Sequence, residues 1–386
     1  MDRRLFLRAG LGVAGVAALP ARLAAQSAPL FDPVAPIVPI RATPDRLFRV
    51  TVCLRPLRAA GPRIEVERVG AKRVVHHYGH GGSGWSLSWG SAEVAVPLAL
   101  ADGVREVAVV GAGAIGLTTA ITAQRMGAKV TIYARERFPD VRSARATGAW
   151  TPDSRVARTA GVDAGFAARW EAMARRSFAI HNGYLGLPGE PVEWTERYLL
   201  RDEPPVPPGV HERAEAGFVA YADRIVDITP RSQPLPPGSH PFPVPFVSRN
   251  SQMTFNVADY AHQLEADFLA AGGRFVPAAF RAPSDLTRLR ERAILNCTGY
   301  GARALFADES VVPVRGQIAW LIPQAGVHYG LYYRGMGVIA RRDGIVVQDF
   351  GPDDEWGVGD ANETPDYPAA HEAVQRLAGL YAGPAA

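Results

Sequence analysis

Residues 107–116, VAVVGAGAIG, with their continuation LTTAITAQRMGAKVTIYARE, decide the fold of this 386-residue chain. A short apolar run enters a glycine turn, an apolar helical stretch follows, and a second apolar run begins at Lys129. The pattern reads as strand, tight turn, helix, strand. Gly111, Gly113 and Gly116 match the dinucleotide fingerprint G-x-G-x-x-G. Such glycines bring the backbone, here including Ala114 and Ile115, up to a pyrophosphate at a helix N-terminus. Leu117, Ala120 and Ile121 share one face of the expected helix, and Gly127 ends it. Glu136, beside Arg135, stands 25 residues after Gly111, near where an acid would bind a ribose hydroxyl. A unit of this kind usually opens a domain, yet about 100 residues precede it.

Those preceding residues start with an address. Residues 2–8, DRRLFLR, lead into an apolar run over 9–19, then Pro20 and the small residues of LAAQSA. This is the layout of a twin-arginine signal peptide cleaved near Ala25 or Ala28, implying a periplasmic or secreted protein without a membrane anchor after cleavage. The run is too short to span a bilayer. Proline-rich residues 29–45 read as a linker. Strands are expected at 47–54, 63–69 and 73–77, followed by the glycine-rich turn and apolar helix of YGHGGSGWSLSWGSAEVAVPLALADG.

After the fingerprint, a helix is expected within 161–182. Residues 204–245 should be mostly loop, with strands at 218–222 and 224–227. Further strands fall at 253–256, 274–276, 292–296 and 313–322. Residues 257–271 form a helix with Tyr260, Leu264 and Phe268 on one face. Residues 331–340 and 344–349 make a hairpin turning at 341–344, and 369–381 form a last helix.

Composition narrows the function. The chain is 47% hydrophobic and 21% charged, as soluble globular proteins are. Its formal charge of +4 owes much to arginines in the first 22 residues, and Lys72 and Lys129 are the only lysines. With no basic stripe, nucleic-acid binding has no support. Cys53 and Cys297 read as two buried thiols, with one long-range disulfide as the alternative in an oxidising compartment. His76, His77 and His80 have no matching carboxylate or thiol set, which argues against a metal site.

Several stretches together resemble the D-amino-acid oxidase family of FAD enzymes. VAVVGAGAIGLTTA is similar to its opening strand and helix, and IYARERFPDV with ATGAWTP to the segment after its second strand. LNCTGYGA and VPVRGQ resemble two later flavin-side strands. VCLRPLRAAGPRIEVERV resembles the strand carrying its substrate arginine, and HHYGHGGSGWSLSWG its closing flavin motif. In the family the last two stretches close the chain; here they precede the fingerprint. The order implies a circular permutation, with the old ends joined through SAEVAVPLALADGVRE.

The resemblance implies an α/β fold: a Rossmann-type FAD-binding domain and a second, mostly antiparallel β substrate domain. The implied division is 1–28 leader, 29–46 linker, 47–62 substrate-domain strand, 63–160 FAD-binding, 161–252 mainly substrate domain, 253–315 FAD-binding again, and 316–386 substrate domain. It implies FAD as cofactor and oxidative deamination of D-amino acids by oxygen; another electron acceptor, or a D-aspartate-type or glycine-type substrate, stays open.

It also assigns residues. Arg55 would hold the substrate carboxylate by a two-bonded fork, while Arg58 and Arg63 are structural. The Gly82 carbonyl would accept a bond from the substrate amine. Gly81, Gly82, Ser83, Gly84, Trp85 and Ser86 would face the flavin pyrimidine, where amides and the helix dipole stabilise negative charge. Arg142, Ser143, Gly148, Ala149, Phe280, Thr298 and Gly299 match cofactor contacts, and Arg315 and Gln317 cofactor-side positions. The family places tyrosines over the substrate: Tyr333 matches one, Gly337 stands at a second without a ring, and Phe350 lies near a third without a hydroxyl. Tyr329 or Tyr332 would substitute.

Overall fold

The computed structural model describes residues 37–205 and 217–381. The expected leader and the first part of the linker lie outside the described residues. A six-stranded sheet forms from β2 (Arg63–Val69), β3 (Lys72–Tyr78), β4 (Glu106–Val110), β5 (Lys129–Ala134), β9 (Arg274–Pro277) and β10 (Ala293–Asn296), with apolar runs at its centre and the alternating RIEVERV of β2 at one edge. Their order is β2-β3-β10-β4-β5-β9, and every neighbouring pair is parallel except β2 with β3. Buried strands of such sheets carry apolar side chains on both faces, and Val107–Val110 are all buried.

The second sheet has eight strands: β1 (Leu47–Leu57), β6 (Val192–Arg201), β7 (Gln233–Pro234), β8 (Phe246–Phe255), β11 (Val312–Leu321), β12 (Tyr329–Tyr333), β13 (Met336–Arg341) and β14 (Gly344–Asp349). They run β1-β11-β14-β13-β12-β6-β8-β7, antiparallel throughout except β12 with β6. The observed architecture is therefore an α/β fold of two mixed sheets. The two sheets do not part into separate units, for the chain from Ile37 onward packs as one.

The helices follow from their burial. α1 (Gly84–Leu100) is apolar around most of its circumference and lies between α2 (Ala114–Arg125) and α3 (Phe166–Asn182). α3 turns Trp170, Met173, Ala174, Ser177 and His181 inward, and α4 (Val257–Ala270) buries Tyr260, Ala261, Leu264 and Phe268. α5 (Ala302–Leu305) is a single turn, and α6 (Tyr367–Gly379) is capped by the Asp366 side chain accepting from the Ala369 amide. Among the described residues no helix is long and apolar enough to cross a membrane.

Several sequence expectations need correction. Ten residues of β6 are strand where none was expected, because its cavity-facing side carries polar Arg197 and Arg201 and masks the alternation. Phe218 makes only an isolated bridge to Arg158, and Ala222–Ile225 is a 3-10 turn, so neither expected strand at 218–222 or 224–227 forms. The stretch 331–340 is itself split by a turn at Arg334 and Gly335, both in the left-handed region (φ 45° and 71°). The strand expected at 253–256 is longer: β8 begins at Phe246.

Candidate active site

The fingerprint geometry explains its glycines. Gly111 has φ 108°, and a Cβ there would lie 2.6 Å from the Cys297 carbonyl oxygen. A Cβ on Gly116 would lie 2.0 Å from the Gly111 carbonyl oxygen, so a side chain would push α2 off the sheet. Gly116 is thus buried beneath the turn, while Gly111, Gly113, Ala114 and Ile115 border a cavity of about 2040 Å³. Pockets for drug-sized ligands run roughly 300–1,000 Å³. This cavity has room for a dinucleotide together with a small substrate.

The two sheets share that cavity. Ser143 ties its parts together: its hydroxyl accepts from the Ala114 amide at the start of α2 (3.0 Å), and its carbonyl accepts from Trp85 Nε1 at the start of α1 (2.9 Å). The glycine turn before α1 is fastened to the opposite wall by the Gly82 amide donating to Ser154 O (2.9 Å) and the Ser86 hydroxyl accepting from the Thr151 amide (2.8 Å). Ser83 does not border the cavity; its hydroxyl donates to Thr151 O and Ser154 O and anchors the turn. Residues 78–86 and 111–116, separated by α1 in sequence, therefore meet around one space.

At the end of β5, Arg135 and Glu136 border the cavity and pair with each other (2.8 Å). Phe280, Thr298 and Gly299 border it as expected. Arg142 also borders it and pairs with Glu363 (2.5 Å). Gly148 and Ala149 are held by backbone pairing to Phe255 and Thr254 and by a residue that sequence reasoning missed. Arg341, buried at the end of β13, donates to Ala146 O (2.7 Å) and Thr147 O (3.3 Å) and pairs with Asp343 (2.5 Å). A charged residue next to an apolar strand would have been its only signal.

Arg315 and Gln317 require correction. Strand alternation turns Gly316 and Ile318 to the cavity and sends Arg315 and Gln317 to the other face. There Arg315 donates to Asn362 O and Thr364 O, and Gln317 donates to Asp366 O. Tyr329 is likewise no lid: its hydroxyl is bound to Val38 O (2.7 Å) and the Tyr381 hydroxyl (2.8 Å), away from the cavity. Tyr332 and Tyr333 do border it. The Tyr333 hydroxyl donates to Asp202 (3.0 Å), and Tyr332 faces Phe350 with ring centroids 6.3 Å apart. The Phe350 ring occupies the space over Gly337, where a Cβ would lie 2.5 Å from Phe350 Cε2.

Arg55 reaches the cavity from β1. It donates to the carbonyls of Val314 (3.3 Å) and Arg315 (3.0 Å), and among the described residues no carboxylate lies within ion-pair distance of it. A guanidinium has five N–H donors, so most remain for a ligand. Burial lowers its pKa to about 10, the like charge of Arg155 adds to this, and Cys53 and Asp354 oppose it. It stays cationic at neutral pH. Arg155, which sequence reasoning also missed, is buried at φ 46° and pairs with Asp354 (3.3 Å). Arg58 and Arg63 serve structure, meeting Ser310, Asp308 and Tyr78.

The remaining reactive groups are accounted for locally. Both cysteines are free: Cys297 donates to Thr119 Oγ1 and Cys53 to Arg142 O. His76 meets Glu67 and Asn296, while His77 and His80 share the Ser91 hydroxyl. Burial holds His80 at about 3 and His77 well below its usual value, so both are neutral. Among the described residues no group of three His, Cys, Asp or Glu side chains is placed to hold a metal ion.

A family model described as "FAD dependent oxidoreductase" (DAO) matches residues 106–385. The chain belongs to that family. It is 30% identical over 225 residues to a D-amino-acid oxidase of Streptomyces coelicolor, covering 58% of this chain and 61% of that one. It is 33% identical over 223 residues to a D-amino-acid oxidase of Rubrobacter xylanophilus, covering 56% and 59%. The chain thus spans about three fifths of the length of these relatives. Among solved structures it is similar to an L-amino acid deaminase from Proteus vulgaris (13% identity, 71% of this chain and 73% of that one, TM-score 0.48). It is also similar to an L-proline dehydrogenase from P. horikoshii (13%, 71% and 76%, TM-score 0.45). FAD, the cofactor of the family, fits the cavity: the fingerprint glycines leave a cradle that a Cβ would fill, and the space continues to Arg55.

Proposed function

We propose that the protein oxidatively deaminates D-amino acids, with oxygen as electron acceptor. The observation that carries this reading is Arg55: a half-buried guanidinium with no carboxylate within ion-pair distance among the described residues, on the wall of the cavity that the fingerprint glycines border. Arg55 binds the substrate carboxylate, and the Gly82 carbonyl accepts from the amine. Together they fix which face of the α-carbon meets the cofactor. Bound FAD supplies the hydride acceptor. Tyr332, Tyr333 and Phe350 cover the substrate and exclude water. The substrate ammonium must first give one proton to solvent to become the neutral amine, and the imine formed on loss of the α-hydride is hydrolysed by water. One amino acid, one oxygen and one water yield one 2-oxo acid, one ammonia and one hydrogen peroxide. Purified holoenzyme given a panel of D-amino acids in air should form peroxide and 2-oxo acid in equal amounts; product without peroxide would point to another acceptor.

The chain order is part of the proposal: we read it as a circular permutation of the family fold. Residues 47–57 line β11, residues 63–78 extend the dinucleotide sheet, and the family match begins only at Glu106. Five residues, 101–105, join α1 to β4. The Tyr329 hydroxyl touches both Val38 and Tyr381, which brings early and late residues of the described chain together. Export by the twin-arginine route to the periplasm is proposed from residues 2–8; replacing Arg3 and Arg4 by lysine should leave the protein in the cytoplasmic fraction.

A further inference from the structure

We propose that Gln348 is a second substrate-binding residue, whose side-chain amide receives the substrate carboxylate together with Arg55. The inference rests on the reading of Arg55 given above. Gln348 ends the apolar run Ile345–Val347 of β14 and faces the cavity. It is 4% exposed, and among the described residues its amide has no hydrogen-bond partner. The amide opens on the cavity, so its partner comes from there.

The surroundings say what that partner is. The cross-strand register sets Gln348 opposite Ile318 on β11 and opposite Gly337 on β13. Gly316 lies one position along that face of β11. A Cβ on Gly316 would sit 2.5 Å from Arg55 Nη2 and 3.1 Å from Gln348 Nε2. A glycine is needed there because both side chains converge above it. Two sets of N–H donors, one cationic and one neutral, thus meet without an acceptor between them. That is the chemistry of an anion receptor, and a carboxylate offers an acceptor oxygen to each donor.

The placement also accounts for the missing ring at position 337. Phe350 fills the space over Gly337, so no tyrosine hydroxyl can reach the substrate from there. Gln348 stands directly across the ladder from that glycine and brings a donor in from the neighbouring strand. Arg55 then supplies the charge, and Gln348 sets the direction in which the carboxylate lies.

The test titrates holoenzyme with benzoate, a simple monocarboxylate, and follows the flavin absorbance. KM and kcat for a D-amino acid are measured alongside. Gln348→Leu should weaken benzoate binding about 10- to 100-fold and raise KM by a similar factor, with less effect on kcat. Gln348→Glu, equal in size, should place a carboxylate beside Arg55 and weaken benzoate by at least as much. FAD retention should match wild type. If Gln348→Leu does not hold FAD, the Gln348→Glu titration decides. Wild-type benzoate affinity in the Gln348 variants, with affinity lost in Arg55→Met, overturns the inference and leaves Arg55 standing. Failure of wild type itself to bind benzoate overturns both.

Discussion

Replacing Arg55 by methionine removes the guanidinium while keeping most of the apolar stem against β11. Two parallel bonds to a carboxylate, each charge-assisted and worth about 1.5–3 kcal/mol, would be lost. The total of about 3–6 kcal/mol corresponds to roughly a 10²- to 10⁴-fold drop in kcat/KM. The fold should suffer less. The substitution strands the carbonyls of Val314 and Arg315, but it also removes a half-buried cation with no carboxylate within ion-pair distance among the described residues. The fingerprint glycines lie on the other sheet and are untouched, so FAD should stay bound. The assay is anaerobic reduction of the flavin by D-phenylalanine and by 2-phenylethylamine, which lacks the carboxylate. Arg55→Met should slow the first by the stated factor and change the second by no more than a few fold. An equal loss on both substrates, or none on the amino acid, would refute the role of Arg55.

Four further outcomes follow from the same geometry. Gly116→Ala should yield colourless protein destabilised by about 3 kcal/mol or more, because its Cβ would overlap the Gly111 carbonyl oxygen; flavin absorbance and a denaturant curve check this. Phe350→Ala should clear the space over Gly337 and raise kcat/KM for bulky D-amino acids relative to D-alanine, in a substrate panel. Burial holds His80 and His181 at about 3, below the unfolded value near 6.5, so the unfolded state binds more protons and stability falls as pH drops below 6.5. The loss should be about 2 kcal/mol for each histidine at pH 5, and a flat denaturation midpoint from pH 7.5 to 5 would contradict it. A rearranged chain beginning at residue 106 and joining 381 to 47 by a short linker should still fold and bind FAD; an insoluble, flavin-free product would count against the permuted reading.

Much of the dinucleotide sheet was legible because its inner strands, β4 and β10 above all, are short, buried and apolar on both faces. Gly111–Gly116 and the turn before α1 carry glycine patterns that few other structures require. The eight-stranded sheet was harder to read. Its inner face lines the cavity, so β6 alternates with Arg197 and Arg201 where a core strand would show apolar residues. Arg341 and Gln348 were missed for the same reason: one holds backbone carbonyls, the other faces the cavity, and neither leaves a periodic trace. Arg315 and Gln317 were misassigned because a motif match does not say which way a strand points. The Gly316 register, with Cys53 opposite, shows that the neighbouring positions face away.

The proposal that one cavity holds FAD and orients a D-amino acid through Arg55 is tested most directly by the visible spectrum of anaerobic holoenzyme after separate additions of the D and L forms of one amino acid. The D form should bleach the flavin rapidly, and the L form should leave an oxidised spectrum. Bleaching by the L form alone, or by neither across a panel of amino acids, would contradict it.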